Sequence, residues 1–215
     1  MPNFDLSKLF IDGKAIDTDE GRVTLRQEQV ASLRVTTERI VACDPGAPED
    51  AEAFTEQVSP GAYPVILSVA TYEDDDQRVA AAMVRFRDAE PARWRLALLP
   101  DEDEAELAGD EIFGYTVDSG HGCFMDSAAA TELLRRHEEY ENYDDLIAAE
   151  LDKNYVDTWS YADIRPDPET EANIVVFSSG MGDGLYASYF GYDAGDNLVC
   201  LVTDFSLFSE EEMNG

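Results

Sequence analysis

Two short stretches gather the residue types that do chemistry. The first is Asp118-Ser119-Gly120-His121-Gly122, with Cys123 and Asp126 just beyond it. Its glycines admit backbone angles closed to other residues, and a Gly-x-Gly turn after a strand can aim N–H groups at an anion. On an extended chain, positions 119, 121 and 123 share one face, which aligns a hydroxyl, an imidazole and a thiol. Asp118, Ser119, His121 and Asp126, together with Asp183 of the second stretch, are therefore the candidates for acid–base or nucleophilic work. A tight turn explains the same residues without chemistry: Asp118 and Ser119 cap the backbone, and Asp126 starts a helix.

The second stretch, Ser178 to Gly184, spaces Gly180, Gly182 and Gly184 at alternate positions, with Ser178, Ser179 and Asp183 among them. It lacks the Gly-Lys-Ser/Thr of a phosphate loop, the Gly-x-Ser-x-Gly of a nucleophile elbow and the dinucleotide-binding spacing. Asp183 beside glycines suits a hard cation, although the spacing of a calcium-binding loop is missing. Asp118, Asp126 and Asp183 are the metal candidates, and a divalent cation is the one cofactor this donor set suggests. Ser178, Ser179, Gly180, Gly182 and Asp183, with Tyr186 and Tyr189, form the candidate binding set. A catalytic site requires both turns to line one concave pocket, with carboxylates close enough to share a cation or a proton. The plainer alternative is a glycine-bulged turn flanked by tyrosines that pack in strands.

The elements that must carry these turns follow from apolar periodicity. Strands are predicted over residues 34–43, 63–71, 79–86, 94–99, 112–117 and 173–178. Residues 185–192 and 198–205 read as a hairpin joined by Asp193–Asn197. Residues 128–140 and 143–154 read as helices, the second with Tyr143, Ile147 and Leu151 on one stripe. The expected fold is α+β, a mainly antiparallel β-sheet with a helical pair inserted around residues 127–154. Residues 1–33 read as an N-terminal arm or extension, 34–208 as a single globular domain, and 209–215 as a frayed acidic tail.

Charge narrows the partners. Fifteen Lys and Arg face 47 Asp and Glu, for a formal net charge of -32 over 215 residues. Nucleic acid and anionic membrane surfaces are excluded as partners by repulsion, while a basic protein or a cation is attracted. An evenly spread acidic coat that only keeps the chain dissolved in salt is the competing reading. The cysteines, Cys43, Cys123 and Cys200, are odd in number, far apart and without a CxxC pair, so neither a disulfide framework nor a zinc site is expected. The N-terminus carries no secretory pattern and no run is long enough to span a membrane, which predicts a cytoplasmic address.

Four stretches carry a resemblance: Arg39 to Pro45, Pro60 to Val65, Gly114 to Asp126, and Phe177 to Tyr192 followed by Asp204-Phe205. In order and spacing they resemble the bacterial domain-of-unknown-function family 4241. The Gly-Asp-Gly-x-Tyr piece with its downstream Gly-x-Asp is the most specific part. The resemblance implies a single compact domain and brings no activity or catalytic residues with it. It singles out the same two turns.

The leading expectation is a non-catalytic acidic protein, binding or regulatory in the manner of an immunity protein, that engages a basic partner. The alternative is a metal-assisted, hydrolase-like enzyme whose site forms where the two glycine-rich turns meet.

Overall fold

In the computed structural model, residues 2–109, 111–140 and 143–214 are described. Their strands run β1 (Ala15–Thr18), β2 (Gly21–Val35), β3 (Ile40–Cys43), β4 (Gly61–Thr71), β5 (Gln77–Arg85) and β6 (Arg93–Leu96). They continue as β7 (Tyr115–Val117), β8 (His121–Asp126), β9 (Tyr161–Ile164), β10 (Ile174–Ser178), β11 (Gly184–Tyr186), β12 (Ser188–Tyr192) and β13 (Leu198–Asp204). The helices are α1 (Ser127–Glu139), α2 (Tyr143–Asp152) and α3 (Glu210–Asn214).

β4 shows how the molecule is layered. Successive side chains alternate sides, so Val65, Leu67 and Val69 enter one apolar core while Ile66 and Ala70 enter another. The strand lies inside a seven-stranded sheet of order β1-β2-β4-β5-β13-β12-β6. A four-stranded sheet, β3-β8-β10-β9, packs against one face of it, and β11 pairs with β7 as a small ribbon. All these pairings are antiparallel. The fold is α+β and mainly antiparallel, as its short acidic turns predict.

Between the sheets, Leu33, Leu67, Val84 and Leu201 meet Ile40, Phe124, Val175 and Phe177. The outer face of the large sheet is covered by the chain ends: Leu6, Leu9 and Phe10 from the start, Phe208 and Met213 from the finish. The outer face of the small sheet is covered by α1 and α2, through Leu133, Tyr143, Ile147 and Leu151. The predicted stripe on α2 is thus the buried face, and the helical pair sits where the sequence places it. Each fully buried Leu or Phe contributes roughly 1.5–3 kcal/mol, so all four layers matter.

Several segments differ from expectation: β8 and β9 are strands where none was expected, and the strand expected over 185–192 is divided, its start in β11 paired with β7 and its remainder in β12 paired with β13. Residues 1–33, read as an arm, supply β1 and most of β2, the longest described strand. Its pattern is hidden by a bulge: Gln29 pairs with Ile66 and Ala31 with Val65, leaving Val30 surplus. Before the bulge Val23 and Leu25 face outward to the chain ends; after it Leu33 and Val35 face the second sheet. The extra residue swings the odd positions from the outer face to the inner one, and between the two buried pairs residues 26–32 are only partly buried or exposed, so no apolar alternation runs through the strand. The single strand expected at 34–43 is two, parted by Thr36–Arg39 with Glu38 at φ +63°. The tail expected to fray forms α3, whose Met213 is buried. No described helix is long and apolar enough to cross a membrane.

Candidate functional site

The turn at Asp118–Gly120 is shaped by a carboxylate from another part of the chain. Asp44, just after β3, is buried and accepts the backbone N–H of Asp118 and of Ser119, each at 2.8 Å. It also accepts the Ser119 hydroxyl at 2.6 Å and the Gly46 N–H at 2.8 Å. Four hydrogen bonds to one side chain hold the loop rigidly. Asp44 was missed in the sequence because Asp-Pro-Gly reads as a strand breaker.

β8 begins directly after this turn, and its first residue is His121. Its Nδ1 lies 2.9 Å from the Ser119 carbonyl, and Nε2 lies 3.4 Å from the Ser160 hydroxyl. Nδ1–H donates to the carbonyl, which leaves Nε2 as an acceptor toward Ser160. Burial pushes the imidazole's pKa down, against smaller upward effects of the Ser119 carbonyl and the Asp44 charge. The ring is therefore neutral at pH 7.

Pairing of β8 with β10 sets Ser178 opposite His121. The two glycine-rich turns are thereby brought side by side. Ser179 N–H donates to the Gly120 carbonyl at 3.1 Å, and Gly180 N–H donates to Val79 of β5 at 3.1 Å. The second turn thus bridges both sheets. It closes on itself through the Ser179 hydroxyl and the Gly182 carbonyl at 3.0 Å, with the Tyr186 hydroxyl behind it at 2.9 Å from the same carbonyl. Ser160 and Ser178 bind reciprocally: Ser160 N–H to the Ser178 hydroxyl at 2.9 Å, and Ser178 N–H to the Ser160 carbonyl at 3.0 Å.

These groups line a cleft of about 360 Å³. His121, Ser160 and Ser178 share it with Ser179, Gly180 and Gly182, and α2 supplies Leu151 and Asp152. Tyr155 and Met181, both well exposed, stand on its rim. Arg78 also contributes to the lining, and its Nε is paired with Asp76 Oδ2 at 2.7 Å. On the far side of His121 a neighbouring groove holds Asp118 and Ser119 beside Asp44 and Ile147.

The structure therefore gathers His121, Ser178, Ser179, Gly180 and Gly182, and adds Ser160, which no sequence pattern marked. Tyr186 is behind the second turn, outside the cleft lining. Four candidates need correction. Asp126 is at the opposite end of β8, fully buried, and accepts five bonds from Thr36, Thr37 and Ala128. It caps α1, and its oxygens have no room for a cation or a substrate. Asp183 is exposed and outside the cleft. Tyr189 belongs to β12 and packs on the outer face of the large sheet, so it cannot edge this cleft. Asp118 and Asp183 do not converge with Asp126, and no group of three or more His, Cys, Asp or Glu suited to a metal ion exists among the described residues. One cleft joins both turns, but shared carboxylates are not part of it.

No curated protein and no solved structure matches the chain. A family described as proteins of unknown function, DUF4241, matches residues 33–203. The match spans β3 to β13 with both turns and α1 and α2, and the chain belongs to the DUF4241 family.

Proposed function

We propose that this is a non-catalytic binding protein that seats a basic side chain of a protein partner in the cleft between the two turns. The observation that carries the reading is the fixed tautomer of His121. Its Nδ1–H is committed to Ser119 and its Nε2 to the Ser160 hydroxyl proton, so the floor presents acceptor oxygens, those of the Ser160 and Ser178 hydroxyls. Asp152 and the exposed ring of Tyr155 add a carboxylate and a π-face at the mouth. Arg78 is already neutralised by Asp76. A net charge of -32 draws such a partner in and makes its association sensitive to salt. In this reading the protein is bacterial and works in the cytoplasm.

The test is a titration of isotope-labelled protein with an Arg- and Lys-containing peptide and with its Glu-containing counterpart. Shifts centred on Gly120, His121 and residues 178–182 are expected for the basic peptide alone. Asp152→Lys, an exposed change, is expected to weaken binding about tenfold, near 1.4 kcal/mol. Shifts scattered over the surface, or indifference to D152K, would reject the reading.

One observation favours a second reading, the hydrolase-like alternative in metal-free form. His121 Nε2 facing Ser160 Oγ at 3.4 Å is the arrangement of a base beside a nucleophile. It predicts covalent labelling of Ser160 by a fluorophosphonate, which the binding reading does not.

A further inference from the structure

Cys43 and Cys123 are 80 positions apart in the chain and directly opposite each other in the β3–β8 ladder. Their sulfur atoms are 3.7 Å apart, and the Cys123 thiol lies 3.2 Å from the Cys43 carbonyl. Directly opposed residues in an antiparallel pair have Cα atoms about 4.5–5.5 Å apart. That lies within the roughly 4.4–6.8 Å that a disulfide spans. Closing the bond therefore needs side-chain rotation only, with the backbone left in place.

Both thiols belong to the core beneath the helices: Cys123 is completely buried and Cys43 nearly so, at 2% exposure, and of the two only Cys43 is also among the residues that line a separate cavity of about 220 Å³. Asp44, Phe54, Tyr115 and Ser188 also line that cavity. Burial and the neighbouring thiol push the Cys123 pKa up, which favours its protonated form. Cys200, the third cysteine, belongs to the outer core of the large sheet, a different layer.

We propose that Cys43 and Cys123 are a redox-reactive dithiol, reduced in the resting protein and closed to a disulfide by hydrogen peroxide. The Cys43 sulfur, as thiolate, attacks one peroxide oxygen; the O–O bond breaks, hydroxide leaves and takes up a proton, and Cys43 becomes a sulfenic acid. The Cys123 sulfur then attacks the Cys43 sulfur, the S–O bond breaks, and the departing oxygen leaves as water with the Cys123 proton. Two thiols lose two electrons in all, and one peroxide yields two waters. The new bond ties β8, which begins at His121, to the strand that ends one residue before Asp44. It covalently secures the clamp on the Ser119 turn.

The experiment uses the full chain, reduced, desalted and exposed to hydrogen peroxide, then denatured for thiol titration and digested without reductant. The thiol titre is expected to fall from three to one. A Cys43–Cys123 linked peptide is expected, with Cys200 still free and the change reversed by dithiothreitol. In Cys43→Ser both remaining thiols are expected to survive, because the cysteine next to the cavity is gone. Three thiols remaining while added N-acetylcysteine is consumed would overturn the proposal. So would a link to Cys200, or a disulfide-linked dimer. Loss of Cys123 in C43S at the wild-type rate would overturn the assignment of Cys43 as the attacking sulfur.

Discussion

Asp44 binds Ser119 at both its backbone N–H and its hydroxyl, across 75 positions of sequence. The first glycine-rich turn thus owes its shape to a residue contributed by the loop after β3. The cleft rests on this, because Ser119 in turn orients His121.

Asp44→Ala removes the acceptor for four donors in a buried setting. Unsatisfied buried donors cost about 1–3 kcal/mol each before relaxation or entering water. A loss of about 2–4 kcal/mol is expected in urea unfolding. His121 should also lose its fixed tautomer, seen as altered imidazole nitrogen shifts. An intact imidazole signature in folded D44A would show that the clamp does not orient the ring.

Asp126→Ala should destabilise by a similar amount, about 2–4 kcal/mol, for it removes the α1 cap and the acceptor of both threonines. It should leave affinity for the basic peptide unchanged, because Asp126 sits at the far end of β8. A drop in affinity in the folded variant would return Asp126 to the site. Comparing D44A with D126A separates support of the cleft from support of the helix.

Two glycines of the cleft should respond differently to alanine. Gly120 has φ +74° with open space around a Cβ, whereas Gly180 has φ +48° and a Cβ there would lie 2.9 Å from Phe205 Cβ. Both substitutions bear the left-handed cost of about 1–2 kcal/mol. Gly180→Ala adds a collision with the core strand end, so its loss should exceed that of Gly120→Ala by about 1–3 kcal/mol. Equal urea midpoints for the two variants would contradict the bridging role of Gly180.

Acid shifts stability through two groups of opposite sign. Burial raises the Asp204 carboxyl from 3.8 to about 6, so the folded chain favours its protonated form. That contribution is complete below about pH 4 and is lost as pH rises through 6. Burial lowers the pKa of His121, so the folded chain favours neutral imidazole and is destabilised as pH falls below its ordinary 6.5. Asp204→Asn should be more stable than wild type at pH 7, with a smaller gain on moving to pH 5. His121→Asn should show a larger gain on the same move. Urea midpoints at the two pH values for the three chains check both signs.

What could be read from the residues alone was whatever depends on short-range period. β4 and its partner β5 follow from nearly unbroken apolar runs, the final hairpin from two such runs about a turn, and the α2 stripe from a spacing of four. β2 escaped because residues 26–32, between its two buried pairs, are mostly polar and only partly buried or exposed. β8 escaped because Gly120 and Gly122 look like loop, although only residues up to Gly120 turn. The glycine turns were recognisable, but their meeting depends on the register of Ser178 against His121, which no local pattern encodes. Ser160 and Asp44 acquire their roles only from that register. Asp126 misled for the same reason: a helix cap and a catalytic acid are the same residue type until the neighbours are known.

The family match begins at residue 33, inside β2, and ends at residue 203, one position short of the end of β13. A chain trimmed to that interval would lose β1, nearly all of β2, and α3. β4 would then become a bare margin, its backbone N–H and C=O groups open to any strand of a neighbouring molecule. The lost segments also carry Leu6, Leu9, Phe10 and Met213, which shelter Ile66 and Val202. Boundaries drawn from similarity would turn a folded protein into a self-associating one, so expression should keep both ends.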